Sequence, residues 1–285
     1  MKKVAVLGAG TMGNGITQLF AQSGYEVSIR DVEDRFVQGG LNAIKQNLQK
    51  FLVDKGKITQ SEADGVLARI KGTTDLKEAV AGAQVVVESI PEQLQLKQET
   101  FKALNELCPP EMILATNTSS LSVTEIASMV EHQDKVIGMH FFNPATVMKL
   151  VEIIRGAKTS DETYEVIKEL STKLGREVIT AQKDTAGFIV NRIFLAIVNE
   201  AANLVYEGVA TPEDVDKGCQ LGLGHTMGPL RTIDLTGIDI GFHVLEILRD
   251  GFGERFRPSQ LMKIKVAAKE LGTKTGKGFY DYSQK

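Results

Sequence analysis

The hexapeptide Gly8-Ala9-Gly10-Thr11-Met12-Gly13 has the spacing that lets a backbone approach a pyrophosphate. In such a turn the first glycine permits the tight bend, the second lets the phosphates come close, and the third lets helix and strand pack. The helix that opens there adds free amides and the positive end of its dipole. Gly8, Gly10, Thr11, Met12 and Gly13 are therefore the expected dinucleotide contacts. The spacing alone is weak evidence, but here it follows an apolar run, Val4-Ala-Val-Leu7, and opens a helical pattern through Ile16, Leu19 and Phe20. Asp31 lies about 20 residues further on, where a carboxylate accepts from both adenosine ribose hydroxyls. Its charge would repel the extra phosphate of NADP, which favours NAD; the adjacent Arg30 keeps NADP as the less favoured alternative.

A second group of residues bears on the reaction. Asn117-Thr-Ser119-Ser120 follows an apolar run, at the sheet edge where open α/β folds bind ligands. His140 ends another run, and Glu152 sits in the next one. If those two runs form a hairpin centred near Thr146, His140 and Glu152 pair directly across it and share a face. A carboxylate that fixes a histidine's tautomer and stabilises its cation makes a general acid/base. A histidine without such a partner is ordinarily a satisfied structural residue, which is the reading for His132, His225 and His243.

The elements that must position these groups alternate in the α/β manner. Buried-strand candidates are 4–7, 25–29, 85–87, 112–115, 136–139, 149–154 and 177–180, most of them separated by helical stretches. A long charged helical region occupies 33–68. From about Thr185 the texture changes: 187–206 reads as one long amphipathic helix, Thr211-Pro212-Glu213-Asp214 as a capped helix start, and 240–248 and 259–269 as further helices. The expected fold is α/β, an N-terminal Rossmann-type domain with a mostly parallel sheet (1–184) followed by an all-α C-terminal domain (185–285).

Bulk properties exclude several classes. The 285 residues carry 42% hydrophobic and 24% charged residues and a net charge of -3, which argues against general nucleic-acid binding. No apolar run approaches the ~18 residues of a membrane span, and the stretch after Met1-Lys2-Lys3 is too short for a signal peptide. Cys108 and Cys219 fit neither a disulfide framework nor a metal site. The expectation is a soluble cytoplasmic protein with no metal.

These motifs together resemble the L-3-hydroxyacyl-CoA dehydrogenase family, most closely its bacterial 3-hydroxybutyryl-CoA branch. The resemblance runs end to end, through Val6 to Gly13, Asn117-Thr-Ser-Ser-Leu121, Gly138-Met-His-Phe-Phe-Asn-Pro144, Leu150-Val-Glu152, Gly187-Phe-Ile-Val-Asn-Arg192, Met227-Gly-Pro-Leu230 and Lys274-Thr-Gly-Lys-Gly-Phe-Tyr280. It implies that His140 is the general acid/base and Glu152 its partner. It also implies that Ser119 and Asn191 hold the substrate's oxygen-bearing end, and that Glu92, Lys97, Asn117, Ser119, Asn143 and Lys274 contact the dinucleotide. One departure is Ala186, where the family often has proline before Gly-Phe. The reaction implied is hydride exchange between C3 of an acyl thioester and a nicotinamide, coupled to proton transfer at His140.

Coenzyme A carries a 3'-phosphate and a pyrophosphate, which call for cations. The helical region 33–68 offers Lys45, Lys50, Lys55 and Lys57, of which Lys50 and Lys57 are the named candidates. The resemblance further implies a homodimer through the helical domain. Two other readings stay open at this point. One is a dehydrogenase of free hydroxy acids using the same His-Glu pair. The other is a non-catalytic NADH-binding protein, against which the set Ser119, His140, Glu152 and Asn191 speaks.

Overall fold

Short apolar runs become the strands β1 (Lys3–Leu7), β2 (Glu26–Arg30), β3 (Ile70–Thr73), β4 (Val85–Glu88), β5 (Ile113–Thr116), β6 (Val136–Phe141), β7 (Leu150–Ile154) and β8 (Glu177–Ala181) of one sheet, in the order β3-β2-β1-β4-β5-β6-β7-β8. This computed structural model describes residues 1–283; Gln284 and Lys285, the end of the expected helical domain, lie outside the described residues. The chain divides into two compact units, Met1–Thr185 and Ala186–Lys285.

In the first unit β3, β2, β1, β4, β5 and β6 are mutually parallel. β7 then pairs antiparallel with β6, and β8 runs parallel to β7. Every residue of β4 and β5 is buried, because parallel strands are covered on both faces. The covering helices are α1 (Thr11–Gln22), α2 (Asp34–Leu48), α3 (Gln60–Ala68), α4 (Leu76–Val80), α5 (Leu94–Leu107), α6 (Val123–Ala127) and α7 (Asp161–Lys173). One face of the sheet is packed by Ile16, Phe20, Ile44, Leu48, Ile167 and Leu170, each contributing about 1.5–3 kcal/mol by burial.

The helices of this unit start in two ways. α3 opens on a full capping box between Thr59 and Glu62, and α4, α6 and α7 are capped by Asp75, Ser122 and Ser160. α1 opens on Gly10 with no side-chain cap and no acid in its first turn.

Three elements differ from the sequence expectation. β3 was not expected: it is an edge strand paired only with β2, so its sequence Ile-Lys-Gly-Thr lacks an apolar run. The charged region 33–68 is not continuous helix. A π turn, Gln49–Val53, ends α2, and Gly56 at φ 64° turns the chain before the Thr59 cap. The long helix expected at 187–206 starts later, because Gly187 and Phe188 are left-handed at φ 66° and 50°.

In the second unit the regular elements among the described residues are helices: α8 (Val190–Tyr206), α9 (Pro212–Leu223), α10 (Pro229–Thr236), α11 (Ile238–Phe252) and α12 (Gln260–Ala267). α9 starts as expected, with Thr211 accepting from Asp214 N and proline in the first turn; α10, also opening on a proline, was not expected. Leu195, Val198, Leu230, Ile233, Leu245, Leu248 and Met262 form the core. Two buried carboxylates tie distant segments together. Asp216 accepts from Leu230 N at 2.8 Å and Arg231 N at 2.9 Å, which caps α10 from another helix. Asp234 accepts from Phe279 N and Tyr280 N, both at 3.0 Å, and from the Tyr282 hydroxyl at 3.1 Å. The Tyr280 hydroxyl donates back to Asp216 at 2.8 Å, which closes the circuit.

Candidate active site

Because β1, β2, β4, β5 and β6 are parallel, the segments that follow them emerge at one edge of the sheet. The glycine turn follows β1, Asp31 follows β2, Glu92 follows β4, Asn117 to Ser120 follow β5, and His140 lies one residue from the end of β6.

Two of the three turn glycines are demanded by the protein itself. Gly8 has φ 99°, and a Cβ there would lie 2.4 Å from Ser89 O; a Cβ on Gly13 would lie 1.8 Å from Gly8 O. At Gly10 a Cβ would meet nothing within 4 Å. The space beside Gly10, next to the uncapped start of α1 with Thr11 and Met12, is a cradle suited to a pyrophosphate. Asp31 is fixed against this turn: one carboxylate oxygen accepts from Ala9 N at 2.8 Å and the other from Val32 N at 2.7 Å. Arg30 turns away, its Nε donating to Thr74 O at 3.0 Å. These residues fit a dinucleotide.

Asn117 staples three strand ends. Its Oδ1 accepts from Phe141 N at 2.8 Å and its Nδ2 donates to Ser89 Oγ at 3.3 Å, which fixes the backbone beside His140. The loop behind it, Thr118 to Ser120, is gathered by Glu92, whose Oε1 accepts from Thr118 Oγ1 (2.6 Å), Ser119 N (2.8 Å), Ser120 N (3.0 Å) and Ser120 Oγ (3.2 Å). Burial pushes the Glu92 carboxyl up, but the Lys97 ammonium and these donors bring it below the usual carboxylate range. Lys97, expected at the dinucleotide, is 1% exposed and ion-paired with Glu88 at 2.6 Å. Sequence reasoning missed Glu88, although a charged residue ending the apolar run Val85-Val-Val was a usable signal.

The expected hairpin is present, and His140 pairs in register with Glu152. His140 Nδ1 lies 3.1 Å from Glu152 Oε2, with the side chains 4% and 0% exposed. The Phe142 ring packs 4.5 Å from the imidazole. The connection from β6 to β7 carries Asn143, a cis bond to Pro144, and a turn in which Val147 N and Met148 N donate to Pro144 O. Arg176, not singled out from the sequence, clamps this turn through the carbonyls of Ala145 (3.1 Å) and Thr146 (3.4 Å).

Lys50 and Lys57 are exposed, on the π turn and on the turn after it. Lys50 and Lys55 both lie 5.5 Å from the Phe51 ring centre. In the second unit, Asn191 sits in the first turn of α8, and Lys274 is paired with Asp239 at 2.6 Å. Among the described residues no cluster of histidine, cysteine and carboxylate could hold a metal, and no helix is long and apolar enough to cross a membrane.

Comparison with known proteins agrees with this architecture. The NAD binding domain of 3-hydroxyacyl-CoA dehydrogenase matches residues 3–185, and the C-terminal domain of the same family matches residues 187–282. A Bacillus subtilis protein named "Probable 3-hydroxybutyryl-CoA dehydrogenase" is 44% identical over 286 residues, covering 100% of this chain and 99% of its own length. The 3-hydroxybutyryl-CoA dehydrogenase of Clostridioides difficile is 41% identical, over 99% of this chain and 100% of its own. The crystal structure of (S)-3-hydroxybutyryl-CoA dehydrogenase from Ralstonia eutropha superposes with a TM-score of 0.95 at 42% identity, covering 100% of both chains. With a nicotinamide-dinucleotide fold at one end and both family domains matched in order, the chain is an oxidoreductase that belongs to the 3-hydroxyacyl-CoA dehydrogenase family.

Proposed function

We propose that the chain interconverts (S)-3-hydroxyacyl-CoA and 3-oxoacyl-CoA with NAD, and that its substrate pair is 3-hydroxybutyryl-CoA and acetoacetyl-CoA. The observation that carries this reading is the buried His140–Glu152 pair, 3.1 Å apart, at the edge where the glycine turn also emerges. The short-chain assignment follows the names of the relatives, which are 41–44% identical over nearly the whole chain.

Gly8, Gly10, Thr11, Met12 and Gly13 would hold the pyrophosphate and Asp31 the adenosine ribose. Glu92, Lys97, Asn117, Ser119, Asn143 and Lys274 complete the proposed cofactor set. Arg30 is engaged with Thr74 O, which supports NAD over NADP. When bound, the nicotinamide accepts or supplies the hydride. His140 works at Nε2, because Nδ1 faces Glu152. It takes the proton of the 3-hydroxyl in oxidation and gives it to the carbonyl oxygen in reduction. Glu152 holds the ring orientation and stabilises the imidazolium. Ser119 and Asn191 donate to the substrate's oxygen as charge develops there. Lys50 and Lys57 serve the phosphates of coenzyme A.

Exposed apolar side chains of the second unit, among them Ile193, Leu221 and Leu223, support a homodimer through the helical domain; a monomeric mass by light scattering at micromolar protein would refute it. The free thiols Cys108 and Cys219 accord with a cytoplasmic setting.

The experiment is loss of NADH absorbance with acetoacetyl-CoA, run beside acetoacetate, longer 3-oxoacyl-CoAs and NADPH. Rapid oxidation of NADH by acetoacetyl-CoA alone is the expected result. Turnover of acetoacetate without any thioester activity, in a protein that binds NADH, would move the substrate to a free acid.

A further inference from the structure

Behind the Ser119 loop runs a line of buried charge that hydride transfer does not itself require. Glu88 and Lys97 are fully enclosed, and Lys97 Nζ lies 2.6 Å from Glu88 Oε1. The same ammonium donates to Ile90 O at 3.3 Å and lies 3.4 Å from Glu92 Oε2. Glu88 is itself fully held: its Oε1 also accepts from Ile90 N at 2.8 Å and its Oε2 from Thr116 Oγ1 at 2.7 Å. At the other end of the line, Glu92 Oε1 collects the amides of Ser119 and Ser120.

Enclosing two ions is expensive, and a well-packed apolar pair is often at least as stable. The arrangement therefore calls for a reason other than stability, and the geometry offers one. Glu92 is the partly exposed member, at 29%; Lys97 has two carboxylates to choose between. With Glu88 in place, Lys97 is anchored at the end of β4 and reaches Glu92 through one oxygen only, leaving the other aimed at the loop. Without that anchor the whole charge of Lys97 would fall on Glu92 and draw its carboxylate off the Ser119 and Ser120 amides.

We infer that Glu88 is a positioning residue: a buried counter-charge that sets Lys97 and, through Glu92, fixes the Ser119 loop at the cofactor edge. Lys97 on this account acts on the dinucleotide through Glu92, in keeping with its burial. The inference rests on the proposed placement of Ser119 and Glu92 beside cofactor and substrate.

The test compares wild type with Glu88→Gln, the double variant Glu88→Gln/Lys97→Met, and Thr116→Val. Each is read by melting temperature, by Kd for NADH from fluorescence titration, and by kcat with acetoacetyl-CoA. Glu88→Gln should weaken NADH binding about tenfold or more and lower kcat, since small displacements of positioned groups cost that much. In the double variant, which removes the stranded ammonium, melting temperature should recover while NADH affinity and kcat stay depressed. Recovery of all three together would overturn the proposal, because the pair would then be a filler of the interior. Wild-type values in Glu88→Gln would overturn it as well. Should Glu88→Gln fail to fold, Thr116→Val carries the test: it strands one oxygen of Glu88 and should lower the melting temperature yet leave a folded protein that binds NADH a few-fold more weakly. Unchanged binding there also counts against the proposal. Inactivity of the wild type with acetoacetyl-CoA would refute the proposed substrate and leave the NADH titrations to decide the role of Glu88.

Discussion

At the ligand edge of the sheet the enclosed carboxylates face ionisable nitrogen: Glu88 sits 2.6 Å from Lys97, and Glu152 3.1 Å from His140 Nδ1. In the helical unit the enclosed carboxylates Asp216 and Asp234 face amides and hydroxyls instead. The consequences differ. Glu92, beside Lys97, is held below the usual carboxylate range, whereas burial pushes Asp234 up despite its three donors. Donors and a cation oppose desolvation at both, Lys97 at Glu92 and Lys265 at Asp234, and they outweigh it only at Glu92. On the proposed reading the first region serves a ligand and a proton. The second uses carboxylates as clamps, doing between helices what a strand ladder does within a sheet. Substitutions at the edge should therefore cost function, and substitutions of the clamps should cost the fold.

The largest effect expected is at His140. His140→Gln should lower kcat by roughly 10²–10⁴-fold, the span of a lost acid/base, while NADH still binds and melting temperature changes little. Near-normal turnover would break the functional half of the comparison. Next is Asp234→Ala, which strands the amides of Phe279 and Tyr280 and the Tyr282 hydroxyl. A loss of about 3 kcal/mol in urea unfolding is expected, since each stranded buried donor costs about 1–3 kcal/mol; a loss below about 1 kcal/mol would refute the clamp.

Asp31→Asn keeps an acceptor for Ala9 N but removes the charge proposed to meet the adenosine ribose. The preference for NADH over NADPH should drop about tenfold, or ~1.4 kcal/mol. An unchanged ratio would show that the charge of Asp31 plays no part in cofactor choice. The smallest effect is a pair of opposed pH slopes. A carboxyl lowered in the fold, as at Glu92, stabilises above its unfolded value, and that contribution is lost as pH falls through the folded one. A carboxyl raised in the fold, as at Asp234, contributes below its unfolded value, and that contribution is lost as pH rises through the folded one. Between pH 6 and 3 the stability margin of wild type over Glu92→Gln should therefore shrink, while that over Asp234→Asn should grow. Parallel slopes would mean that the two regions handle charge alike.

Much of this molecule was legible in the sequence because of its periodicities. The runs 4–7 in β1, 85–87 in β4 and 113–115 in β5 are apolar throughout since both faces are covered. The cross-strand meeting of His140 and Glu152 followed from counting outward from Thr146. What stayed hidden depends on partners far along the chain. In β3, Gly72 weakens any strand pattern, yet a Cβ there would sit 2.6 Å from Val37 of α2. The break before α3 was signalled by Thr59 and Glu62, three residues apart, but was submerged in a run of good helix formers. Glu88 reads as the end of a strand until α5 delivers Lys97 to it. The circuit of Asp216, Asp234 and Tyr280 spans 64 residues and has no local trace.

The glycine turn separates two kinds of selective constraint. Gly8 and Gly13 answer to neighbouring backbone, so every descendant that keeps this fold must keep them, whatever it binds. Gly10 has open space where a side chain would go, and on the proposed reading it answers to the ligand. In a duplicated copy that had abandoned nucleotide chemistry, position 10 would be released to drift while positions 8 and 13 stayed fixed. Substitution at that single glycine, in a lineage that retains the other two, would mark the loss of the cofactor.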